Sequence, residues 1–325
     1  MKSWDDPDRY AHEHLLAFLE KAAHFNKGIV AVLFLIVSIG GEKLSSTGSF
    51  EVHVRSEFQP GVGLGSSGAF NVALSAAFLR FFGRSNEDET LDVHHASGSA
   101  RGWIDIKKPT ETSAILLNRW AYAAESIMHG QPSGIDNSIS TFGGAVAFQS
   151  GTISVIPHVP PLKLAITNTK VPRSTKTLVG NVGALRKRFP PVFDPLIQSV
   201  EQISKTTLSI FHDYVHTNET EKHKELEANF EALMDVNQGI LNAIGVGHQS
   251  LDLVVKLSAA YKLHSKLTGA GGGGCAITFI PTGTAEDDVE ALRNDLSEAG
   301  FDCFDAKIGA AGAVFHSSLP NIFKA

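Results

Sequence analysis

Pro60-Gly61-Val62-Gly63-Leu64-Gly65-Ser66-Ser67-Gly68, running into Ala69-Phe70-Asn71-Val72-Ala73-Leu74-Ser75-Ala76-Ala77-Phe78-Leu79, is the stretch on which the reading of this chain turns. Glycine allows positive φ and close approach of the backbone to a ligand. Successive free N–H groups in such a turn make a nest for an anion, and a helix starting just behind it adds the positive end of its dipole. Ser66 and Ser67 are good helix-capping residues. Ahead of the loop, Phe50, Val52 and Val54 alternate with Glu51, His53 and Arg55, which predicts a half-buried strand over 50–58.

A second glycine loop lies far downstream, Lys266-Leu267-Thr268-Gly269-Ala270-Gly271-Gly272-Gly273-Gly274-Cys275. Neither loop is a Walker P-loop, since no Gly-Lys-Ser/Thr follows the first. Neither fits the dinucleotide fingerprint of adjoining strand, glycines and helix with a later acid. A single such loop is as often a turn or a helix C-cap. Two of them, one rich in serine and one with four consecutive glycines, point to a phosphate-handling protein, and to a kinase in particular.

The chain has 325 residues, 43% apolar and 19% charged, with a formal charge of −6. That length suits two domains, and the composition is globular. A nucleic-acid binder carries a basic excess, which is absent here. Cys275 and Cys303 offer neither a disulfide framework nor metal-ligand spacing, which fits a reducing compartment such as the cytoplasm. Asp5, Asp6 and Asp8 break the basic start of a secretory signal. The apolar run Ile29 to Val37 is shorter than the ~20 residues of a membrane span, so it reads as a buried helix and the chain as having no membrane partner.

Helical pattern covers 9–39, with Gly28 as a break, and later about 113–128. Polar residues over 83–111 read as a loop region. Two strands flanking Ser150-Gly151 read as a hairpin. Pro157-His158-Val159-Pro160-Pro161 marks a domain boundary, giving domains 1–160 and 161–325. The second domain opens on a strand at 162–166. Helices over 174–188, 194–216, 222–244 and 249–263 follow, then strand 275–280, helix 285–299 and strand 302–308, an α+β order.

Phosphoryl transfer needs a phosphate cradle, a magnesium site, charge neutralisation and a base for the accepting hydroxyl. Asp136, in the turn Pro132-Ser133-Gly134-Ile135-Asp136-Asn137, is the candidate base; an Asx-turn or a helix cap is the alternative. Glu125, among small and apolar helix neighbours, and the Ser67 hydroxyl suit Mg2+; a solvated helix carboxylate is the alternative. Asn168-Thr169-Lys170-Val171-Pro172-Arg173-Ser174-Thr175-Lys176 offers cations and hydroxyls for an acidic small substrate, or a capped helix start. His129 and His264 border motif loops and read as hydrogen-bonding histidines.

Taken together, these residues resemble the GHMP kinase family, and within it the branch that phosphorylates mevalonate. Pro60–Gly68 is similar to the family's second motif and Lys266–Cys275 to its third. The segments 132–137 and 168–175 are similar to stretches of the mevalonate-specific branch. The resemblance implies a two-domain α+β fold, with a ribosomal-S5-like N-terminal domain and a ferredoxin-like C-terminal one. It implies ATP phosphates held by Gly61, Val62, Gly63, Leu64, Gly65, Ser66 and Ser67, with Ser56 near the nucleotide. Ser67 and Glu125 would hold Mg2+, and Asp136 would take the proton of the mevalonate hydroxyl. Arg173 and Thr175 would lie near substrate, and Gly269, Ala270, Gly271, Gly272 and Gly273 would form the third-motif loop. The implied reaction turns ATP and (R)-mevalonate into 5-phosphomevalonate and ADP, by an enzyme that the resemblance also suggests is a homodimer. The family's first motif, Pro-Gly-Lys with a later Gly-Glu-His, is not found, and Gly40-Gly41-Glu42-Lys43 has the wrong order. The expectation is therefore an N-terminal domain truncated at its start. A kinase of another small molecule such as phosphomevalonate, or an inactive relative, stays open beside the leading reading.

Overall fold

The computed structural model describes residues 26–56, 64–84, 104–105, 113–149, 151–156 and 159–316. Its contacts divide the chain at Pro157/His158 into two compact units, and the described residues from Ala310 onward go with the first unit. The sequence had placed those last residues in the second domain. The tail returns through an antiparallel bridge between Ala311 and Gly143.

The first unit is built on helices α1 (Lys27–Gly40), α2 (Ser66–Phe81), α3 (Ser113–His129) and α4 (Ile135–Phe142). It also holds an antiparallel sheet in the order β1 (Ile104–Asp105), β3 (Thr152–Ile156), β2 (Ala145–Gln149). The β2–β3 hairpin pairs Ala145 with Ile156 through to Gln149 with Thr152, as its Ser150-Gly151 signal predicts. β1 falls inside the region read as loop. Trp120, fully buried, anchors the core with Phe34 at 6.1 Å between ring centres, alongside Leu35, Ile39, Leu74 and Leu117.

Three local readings change here. Gly28 does not break α1, because the Asn26 side chain caps the helix by accepting from the Gly28 N–H at 2.9 Å, which places that glycine in the first turn. The rest of the pattern from residue 9 lies outside the described residues. Residues 50–56 are not a strand; alternation alone makes no ladder without a partner strand. Phe50 instead packs on Phe81 and Phe82, at 5.1 and 6.3 Å. The apolar run is also longer than nine residues: with the 3-10 turn Gly41–Ser46, α1 forms a 20-residue stretch apolar enough by length and composition to cross a membrane. One face of it, Val30, Ala31, Phe34, Leu35 and Ile39, lies in the core, while Ile29, Leu33 and Val37 are exposed.

The second unit has a four-stranded antiparallel sheet in the order β5 (His264–Leu267), β6 (Cys275–Ile280), β4 (Lys163–Asn168), β7 (Asp302–Lys307). Helices α5 (Thr175–Arg188), α6 (Pro190–His216), α7 (Thr220–Ala243), α8 (Gln249–Ala260) and α9 (Glu286–Glu298) accompany it. Leu164, Ile277 and Phe279 pack with Ile210, Phe211, Phe230 and Met234 of α6 and α7. Leu267 and Ala276 pack with Leu251, Val254, Leu292 and Leu296 of α8 and α9. Strand β5 is missing from the sequence reading because His264-Ser265-Lys266-Leu267 is short and mixed; its pairing with β6 makes it a strand.

Candidate active site

The site grows from the N-terminus of α2. Gly65 takes the left-handed conformation, φ 73° and ψ 24°, and is the cap residue; no side chain caps the helix. The serines expected to cap are therefore the first two helical residues, and their hydroxyls are free for other work. The first amides of α2 have no intrahelical acceptor and its first turn has no acid of its own, so the positive end of the helix faces the loop. Gly61, Val62 and Gly63 lie outside the described residues. Ser56 is exposed, on non-regular backbone.

Asp136 sits against this helix start. A Cβ added at Gly65 would meet the Asp136 carboxyl group at 3.2–3.3 Å, and one at Gly68 would meet the Asp136 Cβ at 2.7 Å and its backbone carbon at 2.8 Å. These glycines serve close approach: they let α4 lie on the start of α2 and bring the carboxylate to the end of the glycine loop. Asp136 occupies not an irregular turn but the first turn of α4, which starts after Gly134 in the left-handed conformation. The carboxylate itself is exposed.

A second constellation lies one turn along α2. Glu125 of α3 is 3% exposed. Its Oε1 accepts from Asn71 Nδ2 at 2.6 Å and its Oε2 from Ser67 Oγ at 3.3 Å. His129 Nε2 is 3.1 Å from Ser67 Oγ and 3.8 Å from the same carboxylate. Among the described residues no Lys or Arg pairs with Glu125. A buried carboxylate held by hydroxyl, amide and imidazole groups, without a permanently charged partner, suits a bound cation. Asn71 Oδ1 is buried without a partner. Carboxylate, hydroxyl and amide oxygen are the hard donors that Mg2+ takes, with waters and phosphate completing its shell. The residues present fit the ion. No group of three or more His, Cys, Asp or Glu gathers among the described residues.

Sequence reasoning missed what holds Asp136 in place. Asn118 of α3 is buried; its Oδ1 accepts from Asn137 Nδ2 at 2.7 Å and Thr141 Oγ1 at 3.4 Å, and its Nδ2 donates to Ser138 Oγ at 3.4 Å. α4 thus turns a polar face inward and is pinned to α3 by hydrogen bonds. The signal was the Asn137-Ser138 and Thr141 spacing, one helix face, hidden because that face is not apolar.

In the second unit the third-motif loop is a packed object. Gly269, Gly271, Gly272, Gly273 and Gly274 all have positive φ, and added Cβ atoms would strike Val246, Leu178, Val171 and Arg173 at 2.1–3.1 Å. Arg173 Nη1 donates to the carbonyls of Thr268 at 3.0 Å and Gly273 at 3.3 Å, so one guanidinium ties both ends of the loop. Thr175 is exposed at the first position of α5, which is capped by Ser174 Oγ accepting from the Thr177 N–H. Just before the loop, burial pushes the Lys266 ammonium down to about 8; it donates to Leu267 O at 2.8 Å.

Two family models match the chain: GHMP kinases N terminal domain over residues 30–144 and GHMP kinases C terminal over 223–313. The chain belongs to the GHMP kinase family. Within that family its relatives include mevalonate kinases: that of Mus musculus is 40% identical over 299 residues, covering 92% of this chain and 72% of the mouse protein. That of Arabidopsis thaliana is 40% identical over 288 residues, covering 89% and 69%. A solved structure of the L. major mevalonate kinase in complex with R-mevalonate matches with a TM-score of 0.62 at 19% identity, over 91% of this chain and 80% of that one, which speaks to the fold.

Proposed function

We infer that this chain is an ATP-dependent kinase that phosphorylates (R)-mevalonate to 5-phosphomevalonate, a step of isoprenoid synthesis. The observation that carries the substrate is the 40% identity to curated mevalonate kinases across about nine-tenths of the chain. The chemistry rests on the convergence in one unit of the α2 N-terminus, the Ser67–Glu125 pair and Asp136.

The α2 amides and the glycine loop receive the ATP phosphates. Asp136, at the end of that loop, accepts the proton of the mevalonate 5-hydroxyl as its oxygen bonds to the γ-phosphorus. The bond from that phosphorus to the β–γ bridging oxygen breaks, and ADP leaves with the electron pair. Glu125 and Ser67, with Asn71 beside them, hold Mg2+, which supplies neutralisation of phosphate charge when bound. Arg173 fixes the third-motif loop through its two ends. A cytoplasmic location accompanies this reading, supported by two free cysteines, Cys275 and Cys303.

The test is ADP release by the purified chain with (R)-mevalonate, with phosphomevalonate or with no acceptor. Mevalonate-dependent ADP release with 5-phosphomevalonate as product is expected. Faster turnover of phosphomevalonate would reassign the substrate.

A further inference from the structure

The last turns of α6 carry His212 and His216, four residues apart and so on one helix face. Their rings stack, 4.2 Å between centres and 24° from parallel. His216 Nδ1 lies 2.7 Å from the His212 backbone carbonyl, and His212 Nδ1 lies 3.3 Å from the Asp213 carboxylate. Both partners can only accept, so each Nδ1 carries the proton and each neutral ring bears its lone pair on Nε2. Neither Nε2 has a hydrogen bond among the described residues, and both side chains are exposed.

Metal-bound histidines are held in this way, with one ring N–H fixed by a carboxylate or a backbone carbonyl and the other nitrogen bare. Neighbouring His223 is committed otherwise: its Nε2 reaches the carbonyls of Tyr214 and Thr217 at 3.1 and 2.9 Å, and its ring stacks on Tyr214. His216 is the last residue of α6, where the negative end of the helix dipole favours a cation.

We propose that His212 and His216 form a chelate site for a borderline divalent transition-metal ion, Zn2+, Ni2+ or Cu2+, with water in the remaining positions. Histidines at i and i+4 on one helix face have the spacing at which two imidazoles share one ion. Imidazole selects these ions, whereas Mg2+ selects oxygen. The site is therefore independent of the Ser67–Glu125 constellation, and its occupancy leaves phosphoryl transfer unaffected.

The chain's other histidines make bulk titration ambiguous, so the test is local. Substoichiometric Cu2+ is added to the isotope-labelled full chain in excess Mg2+, and paramagnetic loss of amide signals is mapped. Loss centred on residues 210–218, reversed by Zn2+ but not by further Mg2+, is expected. His212→Gln or His216→Gln should abolish that local loss, and Asp213→Asn should weaken Cu2+ binding about tenfold by freeing the ring it orients. Mevalonate-dependent turnover should be unchanged in all three variants. Loss centred elsewhere, loss that survives either histidine variant, or displacement by Mg2+ would overturn the site.

Discussion

Asp136 and Glu125 are both acids in the same unit, yet their surroundings assign them different work. Asp136 is exposed and lies against the glycines at the start of α2, where the proposed reaction calls for a proton acceptor. Asp136→Asn should lower kcat about 10²–10⁴-fold with ATP affinity nearly unchanged; near-normal turnover with nucleotide still bound would remove it as the base. Glu125 is buried on Ser67 and Asn71. Glu125→Gln should raise the Mg2+ concentration needed for half-maximal rate while ATP binding without Mg2+ stays constant, as a titration of rate against Mg2+ would show. Lys266 offers a pH test. Its folded value of about 8 stands below the ordinary 10.5 because of burial. Between those values the unfolded chain holds the proton that the folded chain has lost, so unfolding free energy rises with pH across that window. Below about 8 the charged, buried ammonium is a constant cost. Lys266→Met should flatten the rise, as denaturant midpoints measured at pH 7.5 and pH 10 would reveal.

At the scale of elements, the α2–α4 contact depends on one missing Cβ. Gly68→Ala would set a methyl group 2.7–3.0 Å from the Asp136 Cβ and the backbone of residues 136 and 137. Backbone cannot swing aside as a side chain can, so about 1–3 kcal/mol of overpacking is expected, with loss of activity beyond the loss of stability because Asp136 moves. Calorimetry and kcat on the same variant would check both; a fall in Tm with full activity would show that α4 relaxes without displacing the acid. The local sequence foretold α2, α3 and the hairpin well, since apolar periodicity and turn residues act over a few positions. It did not foretell α4 or β5. The inward face of α4 is Asn137, Ser138 and Thr141, satisfied by Asn118 nineteen or more residues away. β5 exists through its ladder to β6. Residues 50–56 fail in the opposite sense, with strand-like alternation and no strand.

At the scale of the whole molecule, the two units have separate cores. That of the second gathers Leu251, Val254, Leu267, Leu292 and Leu296 on one side and Phe211, Phe230, Met234 and Phe279 on the other. A piece spanning 158–309 should therefore fold alone, with a single cooperative urea transition seen alike by circular dichroism and tryptophan-free fluorescence of its tyrosines; non-coincident transitions would show that it borrows stability. The sequence by itself determined the glycine loops and the family, because glycine and serine carry their backbone and hydrogen-bonding capacities wherever they sit. It also marked the proline cluster, where the contacts divide the chain, but not the return of the residues from Ala310 to the first unit. Only the tertiary structure decided what each group does. It gave the cap of α2 to Gly65 and so sent Ser67 to Glu125. It packed the third-motif glycines around Arg173. It buried Glu125 against Ser67, Asn71 and His129, while Asp136 stayed open to solvent. Burial, close approach and hydrogen-bond partners come from segments distant along the chain, and no local pattern of residues encodes them.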